Sequence, residues 1–331
     1  MFHSIMIPLC MGLSVFLFGM KLMELALFYW AGNILKYVLK RFTATPLRGL
    51  LTGGCMTALL QSGSAITAIS IGLVNTGLLS FPRTLGIILG TNIGAAITTE
   101  LIGHPVSRSA VPLLLFACGS CTVAIVLSVL HQLLSARRPH RLPVSSFVHA
   151  SLFGSIALAG FSCVLLGMEQ MSTIGIALQH TGFFIWFLEL AQRSLLLGLL
   201  AGICLTAVIQ SSSASIAITM GLASVQAISF ELGMAIIMGA NIGSCVTGFI
   251  ASIGGSRSGQ FVAWSHFFLN AGGALLFFPL IPLLSQQVMW SADSPSDQLA
   301  HFQTLFNVIS SLLVLPLCYL PVWRKEAASR I

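Results

Sequence analysis

Charged residues are scarce in this sequence. Among its 331 residues, 15 are Lys or Arg and 8 are Asp or Glu, so that only 7% are charged, whereas soluble domains carry about 25%. Hydrophobic residues make up 56%, and the mean hydropathy is +0.97. So few charges cannot cover a water-facing surface. This excludes an ordinary soluble globule, a disordered chain and a fibrous protein, and it predicts a polytopic membrane protein.

The sequence also lacks the motifs of common catalytic and cofactor sites. It contains no His-Glu-x-x-His, no Gly-x-Ser-x-Gly and no P-loop motif. Cys118 and Cys121 form a Cys-x-x-Cys pair, but they lie inside an apolar stretch without a second pair. Helix packing therefore explains them better than a metal or redox site. We expect neither an enzyme nor a bound cofactor.

The net charge of +7 does not indicate nucleic-acid binding. The basic residues lie in loops between apolar stretches, at 36–48 and 137–141, and in the tail 324–330. The positive-inside rule describes this distribution, so we place these segments in the cytoplasm. The loop 286–300 contains Asp293 and Asp297 but no Lys or Arg, and we place it outside. The expected environment is a lipid bilayer.

The apolar stretches have the length of membrane helices, and none alternates like a barrel strand. They lie at 5–30, 49–74, 84–102, 110–134, 147–168, 197–222, 232–252, 261–284 and 301–323. The first charge is Lys21, so no basic segment precedes the first stretch. We expect a membrane helix there rather than a cleaved signal peptide. The fold class predicted is therefore all-α.

An internal repeat divides the chain into two related halves. A shift of 149 residues places residues 49–98 on residues 198–247 without a gap, and 24 of the 50 aligned pairs are identical. With the basic loops in the cytoplasm, the two repeat cores cross the membrane in opposite senses, as in an inverted-topology repeat. Arg108 and Arg193 would then lie outside, against the trend.

These patterns predict three segments. Residues 1–140 form the first repeat, with a helix, a hairpin at 49–74 and helices at 84–102 and 110–134. Residues 141–285 form the second, with a helix at 147–168, a hairpin at 197–222 and helices at 232–252 and 261–284. Residues 286–331 add the outer loop, one extra membrane helix and a basic cytoplasmic tail.

Each repeat core must cross the membrane an odd number of times in about 55 residues, and three full spans would need about 60 apolar residues plus turns. One span plus a re-entrant hairpin fits better. The middle of each hairpin is polar, as shown by Gln61, Ser62, Gly63 and Ser64 and by Gln210, Ser211, Ser212 and Ser213. Such tips cannot face lipid, so we expect them to line a polar cavity near the midplane. Helix N-termini there would attract an anion, while glutamine, serine and backbone oxygens would accept a cation.

A second polar pair follows the hairpins. Asn92 and Asn241 lie in matching Gly-x-Asn-Ile-Gly stretches, and Thr98 and Thr247 follow them. These residues could complete a site from the adjacent helices. The paired glycines at the Gly-x-x-x-Gly spacings are better explained by close helix packing, as at Gly49/Gly53, Gly90/Gly94, Gly198/Gly202 and Gly239/Gly243. Packing also remains an alternative for the polar tips.

The doubled Gln-Ser tip, the Gly-x-Asn-Ile-Gly stretch and the inverted halves resemble the bacterial sodium–phosphate cotransporter family (type II, Na/Pi). The resemblance covers about residues 10–320. It implies that the two hairpins meet and bind phosphate and sodium, with Gln61, Ser64, Gln210, Ser213 and backbone carbonyls as sodium ligands. Gly63 departs from the family's usual serine. Many bacterial relatives carry a regulatory domain after the last helix, whereas only residues 324–331 follow it here, so we expect such regulation to come from a separate protein or to be absent.

The resemblance implies a symporter in the bacterial inner membrane, which imports inorganic phosphate with sodium by alternating access. No cofactor is implied other than sodium as the coupling ion. Gly63 keeps open a transporter of the same fold for another small anion, or one coupled to protons. A non-transport membrane scaffold is the alternative from a different class. The residues themselves indicate only a small anion or zwitterion with a coupling ion, and they give no oligomeric state.

Overall fold

The computed structural model describes residues 2–103, 110–135, 144–178, 194–290 and 292–320, together with positions 182, 186 and 190. Within these ranges the regular structure is entirely helical, which confirms the predicted all-α class. Seven of the described helical stretches are long and apolar enough to cross a membrane. The chain is a multi-pass membrane protein.

The first six helices are α1 (Phe2–Phe42), α2 (Pro46–Leu60), α3 (Gly63–Asn75), α4 (Phe81–Gly103), α5 (Ala110–Ser135) and α6 (Val144–Leu178). The following helices are α7 (Leu195–Ile209), α8 (Ser212–Ser224), α9 (Phe230–Gly243), α10 (Cys245–Ser252), α11 (Arg257–Phe277), α12 (Ile281–Val288) and α13 (Pro295–Val314). Short 3-10 turns follow α11 at Phe278–Leu280 and α13 at Leu315–Tyr319.

One predicted loop was wrong in part, and two of the predicted membrane spans contain interruptions. The segment predicted as a loop from residue 36 is helical as far as Phe42, because Lys and Arg are good helix formers and no proline lies between residue 36 and Pro46. The predicted helix at 232–252 is interrupted at Ser244, which ends α9 and precedes α10. The predicted helix at 261–284 is divided by the turn at Phe278–Leu280, which contains Pro279.

The described residues pack as two compact units, and their division differs from that of the sequence repeats. The first unit comprises Met1–Ile34 and Pro105–Met171, and the second comprises Leu35–His104 and Ser172–Ile331. In the first unit, α1 and α6 approach closely at glycines: a Cβ at Gly19 would lie 2.5 Å from the Gly160 carbonyl oxygen. Lys21 and Glu24 form an exposed ion pair at 2.9 Å, as their spacing suggested.

The second unit contains both repeat cores, and each core is a pair of closely packed helices. A Cβ at Gly53 on α2 would lie 2.4 Å from the Ile87 oxygen on α4, and one at Gly202 on α7 would lie 2.1 Å from the Ile236 oxygen on α9. The residues of the second contact are the counterparts of the first at the 149-residue shift. The packing role predicted for the paired glycines is confirmed, because a Cβ at any of the eight would approach a neighbouring helix within 3.0 Å.

We predict that Gly239→Ala destabilises the protein. Its Cβ would lie 2.0 Å from the Leu199 carbonyl oxygen, which is backbone and cannot rotate away. Overpacking of this kind costs about 1–3 kcal/mol. Thermal unfolding of the purified protein in detergent measures the effect. Gly221→Ala is the matched control, because a Cβ there meets nothing within 4 Å and alanine favours a helix. Equal melting temperatures for the two variants would contradict the packing analysis.

Candidate functional site

The first polar tip is a break between two helices. Helix α2 ends at Leu60, and Gln61 then adopts the left-handed conformation, with φ 54°. Ser62 follows with extended backbone and caps α3, because its side-chain oxygen accepts a hydrogen bond from the Ala65 N–H at 3.3 Å. The chain therefore leaves one helix and starts another within two residues.

The second tip has the same local geometry. Gln210 ends α7 with φ 57°, and Ser211 caps α8 by accepting from the Ala214 N–H at 3.3 Å. A left-handed conformation is unfavourable for residues with a Cβ. Outside the tips, Gln226 is the one further non-glycine residue with a positive φ among the described positions. Two glutamines held in this conformation at counterpart positions indicate that the breaks are built into the fold.

The tips leave polar groups accessible. Gln210 and Ser64 are exposed, whereas Ser62 is buried and lies 3.4 Å from the Ser64 hydroxyl, oxygen to oxygen. Gln61 turns back and donates to the Ala58 oxygen of its own helix at 2.5 Å. The first N–H groups of α3 and α8 have no intrahelical acceptor. Each break therefore offers hydroxyls, an amide and a helix N-terminus to a ligand.

Buried threonines extend both breaks toward the preceding helix. Thr57 and Thr206 are counterparts, each one turn before the tip glutamine, and neither hydroxyl has a hydrogen-bond partner among the described residues. Several other buried helical threonines do bond, as Thr219 donates to the Ser215 oxygen at 2.8 Å. Sequence reasoning missed this pair, although its identity in both halves of the repeat is a usable signal.

Gly63 leaves room for a side chain. A Cβ there would lie 3.7 Å from the Thr57 methyl carbon and 3.9 Å from the Thr91 carbonyl oxygen, which are ordinary contact distances. The first tip therefore lacks the hydroxyl of Ser212, its counterpart, without having closed the space that a serine would occupy.

Asn92 lies in a buried polar cluster on α4 and α11. Its Nδ2 donates to the Asn270 Oδ1 at 3.2 Å, and its Oδ1 lies 3.2 Å from the His266 Nε2. Asn270 in turn donates to the Cys245 sulfur at 3.3 Å. His266 and Asn270 were not singled out from the sequence, although polar residues four apart on an apolar helix indicate a shared buried face.

Asn241 forms the corresponding pair on α9 and α13. Its amide exchanges two hydrogen bonds with Gln303, at 2.8 and 3.2 Å, and also donates to the Ile237 oxygen at 2.8 Å. Thr98 is buried on α4, and Thr247 donates to the Ser244 oxygen at 2.8 Å. The structure thus gives both asparagines helix–helix contacts, to α11 and to α13. Their role toward a ligand stays a prediction.

Comparison with known proteins identifies related chains. The profile of the family described as Na+/Pi-cotransporter matches residues 15–173 and again residues 163–287. Two consecutive matches to one description agree with the internal repeat. No solved structure matches the chain.

The relatives are bacterial and mammalian. "Uncharacterized protein YqeW" of Bacillus subtilis is 32% identical over 91% of each chain. "Putative inorganic phosphate export protein YjbB" of Escherichia coli is 23% identical over 89% of this chain, which spans about half (52%) of that protein's length. "Sodium-dependent phosphate transport protein 2A" of Oryctolagus cuniculus is 38% identical over 72 residues, which are 22% of this chain and 11% of that protein.

We predict that Gln210→Gly raises the free energy of unfolding by about 1 kcal/mol, because glycine adopts the left-handed conformation without the Cβ penalty. Gln61→Gly should gain less, since it also removes the bond to the Ala58 oxygen. Gln226→Gly is the control outside the tips, with a φ of 55°. Thermal unfolding of the three variants tests this, and a Gln210→Gly protein less stable than the unmodified chain would show that the side chain holds the break.

Proposed function

The chain belongs to the Na+/Pi-cotransporter family, and from that premise we propose that it is a sodium-coupled transporter of inorganic phosphate. The family resemblance drawn from the sequence is thereby confirmed. The observation that carries the proposal is the doubled helix break: Gln61 and Gln210 share one backbone conformation, and each is followed by a serine that caps the next helix. A packing motif has no need of two such breaks.

We place the two tips near the membrane midplane, as re-entrant hairpins. Helices α3 and α8 have 13 residues each, so each is about 20 Å long and too short for a hydrocarbon core of about 30 Å. A polar tip at that depth must face protein or a water-filled cavity rather than lipid. The proposal thus accounts for short half-helices with polar ends in a chain that also has seven long apolar helical stretches among its described residues.

Reciprocal contacts between the halves support a two-fold relation between the repeats. On α10, a Cβ at Gly248 would lie 3.9 Å from the Ile71 side chain of α3. On α4, a Cβ at Gly103 would lie 2.9 Å from the Met220 side chain of α8, and Met220 is the counterpart of Ile71. The helix after the first tip, α3, therefore packs against α10, and the helix after the second tip, α8, packs against the end of α4. Such an exchange is typical of two-fold symmetry, which an inverted repeat requires.

The tips suit an anion accompanied by a cation. Residues 61–64 and 210–213 include no Lys or Arg, so the charge of phosphate would be met by helix N-termini, hydroxyls and bound sodium. The proposed sodium ligands are the side-chain oxygens of Gln61, Ser64, Gln210 and Ser213. The site would be completed from the adjacent helices by Asn92, Thr98, Asn241 and Thr247. Thr57 and Thr206 add a buried hydroxyl near each tip.

The proposed cycle is alternating access, in which phosphate and sodium are released inward. Each net positive charge moved inward gains about 2.3 kcal/mol per 100 mV of membrane potential. We place the protein in a bacterial inner membrane. The name of the E. coli relative specifies export of inorganic phosphate, so efflux is the direction that competes with import.

Radiolabelled phosphate uptake into proteoliposomes tests the function. With an inward sodium gradient, we expect accumulation that is absent when choline replaces sodium. Gln210→Ala should abolish it, because the tip loses its amide. Gln226→Ala is the matched control, since it removes another left-handed glutamine that lies away from the tips and should transport normally.

Other outcomes separate the competing functions. Phosphate leaving preloaded vesicles, without uptake, would replace import by export. Accumulation driven by a proton gradient, or competition by a different anion, would favour the transporter of another solute. Unchanged transport in Gln61→Ala and Gln210→Ala would remove the tips from the mechanism.

We further predict that Gly63→Ser folds normally, because the position has room for a Cβ. The new hydroxyl restores a donor and acceptor at the first tip, so the phosphate or sodium concentration for half-maximal uptake should fall several-fold. Uptake kinetics measure it, with Gly72→Ser on an open face of α3 as the control. Unchanged kinetics would show that this position does not contact the solutes.

A further inference from the structure

The last described helix is a counterpart of α11 rather than an unrelated addition. A shift of 37 residues aligns α11 with α13 and repeats Asn270, Leu275, Leu276, Pro279 and Leu280 as Asn307, Leu312, Leu313, Pro316 and Leu317. The resemblance extends to the backbone, because each helix ends in a 3-10 turn that contains the repeated proline. Sequence reasoning treated the final helix as lying outside both repeats.

The packing of the two helices follows the same relation. Helix α11 packs against α3, α4, α9 and α10, and α13 packs against α8, α9 and α4, which are their counterparts in the other half. The two helices also meet at equivalent positions, since a Cβ at Gly273 would lie 2.7 Å from the Ser310 hydroxyl oxygen. Contact between equivalent residues places a local two-fold axis between α11 and α13.

The two helices differ in the hydrogen bonding of one buried amide, that of Asn270 on α11 and Asn307 on α13. Asn270 is fully engaged, with Asn92, the Cys245 sulfur and the His266 carbonyl oxygen. Asn307, its counterpart, is 1% exposed, and neither its Oδ1 nor its Nδ2 has a hydrogen-bond partner among the described residues.

Two substitutions explain the difference. Where α11 carries His266, α13 carries Gln303, whose amide occupies both polar atoms of Asn241. The counterpart of Cys245 is Ala96, which offers no polar atom. Asn307 therefore lacks two of the three partners that its counterpart has, and it does not bond to the equivalent of the third, the Gln303 backbone oxygen.

Ser310 adds a second orphan group on the same face. It lies three residues after Asn307, and its buried hydroxyl likewise lacks a partner among the described residues. A buried polar group without a partner costs about 1–3 kcal/mol and is rare in native proteins. Two of them in one turn, beside the axis that relates the halves, need a ligand or water to satisfy them.

We propose that Asn307 and Ser310 bind a second sodium ion, distinct from the one proposed at the tips, through the amide and hydroxyl oxygens, at the axis between α11 and α13. The inference rests on the proposed function. Sodium suits these groups because hard cations prefer neutral and anionic oxygens, and both side chains present an unoccupied oxygen. The Nδ2 group remains a donor for a water or substrate oxygen beside the ion.

Sodium-dependent stabilisation of the purified protein tests this binding without measuring transport. The melting temperature is recorded against sodium concentration, with choline holding the ionic strength constant. Asn307→Leu should fold at least as stably as the unmodified protein without sodium, because it removes an unpartnered amide. It should raise the sodium concentration for half-maximal stabilisation by about tenfold or more. Ser310→Ala should act in the same direction and covers the case in which leucine fails to fit.

Ser311→Ala is the matched control, since the Ser311 hydroxyl on the same helix already donates to the Leu89 oxygen at 3.1 Å. It should lower stability equally with and without sodium. If Asn307→Leu and Ser310→Ala keep the sodium-dependent rise in melting temperature of the unmodified protein, the orphan groups bind only water. This sodium site is then wrong, while the proposed transport function is unaffected. If the unmodified protein shows no response to sodium over choline, sodium coupling itself fails, and this site with it.

Discussion

A helix that stops and restarts inside an apolar layer frees backbone N–H and C=O groups, and each of these needs a partner. At both tips, a serine hydroxyl accepts from the N–H three residues later, at 3.3 Å, directly after a glutamine in the left-handed conformation. This small capping unit satisfies one backbone group and leaves the other N-terminal groups open to a ligand. The close glycine contacts of α2 with α4 and of α7 with α9 hold each unit in place.

Duplication supplies two copies of this arrangement, and some of the differences between the copies change a polar group. In the alignment of the two halves, Gly63 corresponds to Ser212 and Ala96 to Cys245. In the alignment of α11 with α13, His266 corresponds to Gln303. Each change removes or redirects one polar group while the helices around it keep their packing. The site proposed between the two halves would therefore offer different polar groups to its two solutes from one backbone design.

The breaks could be predicted from sequence because polar residues in an apolar stretch are conspicuous and because the repeat shows them twice. The partners of Asn92 and Asn241 could not, since His266 and Gln303 lie far along the chain and only the tertiary packing brings them near. The ends and interruptions of some helices could not be predicted for another reason. Lys40 and Arg41 fit a helix as well as a loop. Gly243 directly precedes the interruption at Ser244, but its counterpart Gly94 lies inside the unbroken α4, so the glycine alone does not predict the interruption.

The backbone contact between α2 and α4 also has a mechanical consequence. A Cβ at Gly90 would lie only 2.1 Å from the Leu50 oxygen, and one at Gly86 only 2.3 Å from the Pro46 oxygen. Sliding either helix by one residue would bring a bulkier neighbour, such as Ile87 or Leu89, against those carbonyls. The two helices therefore cannot slide along each other without a steric clash. A conformational change must carry them as one rigid body and take up its bending elsewhere, at the unwound residues between helices.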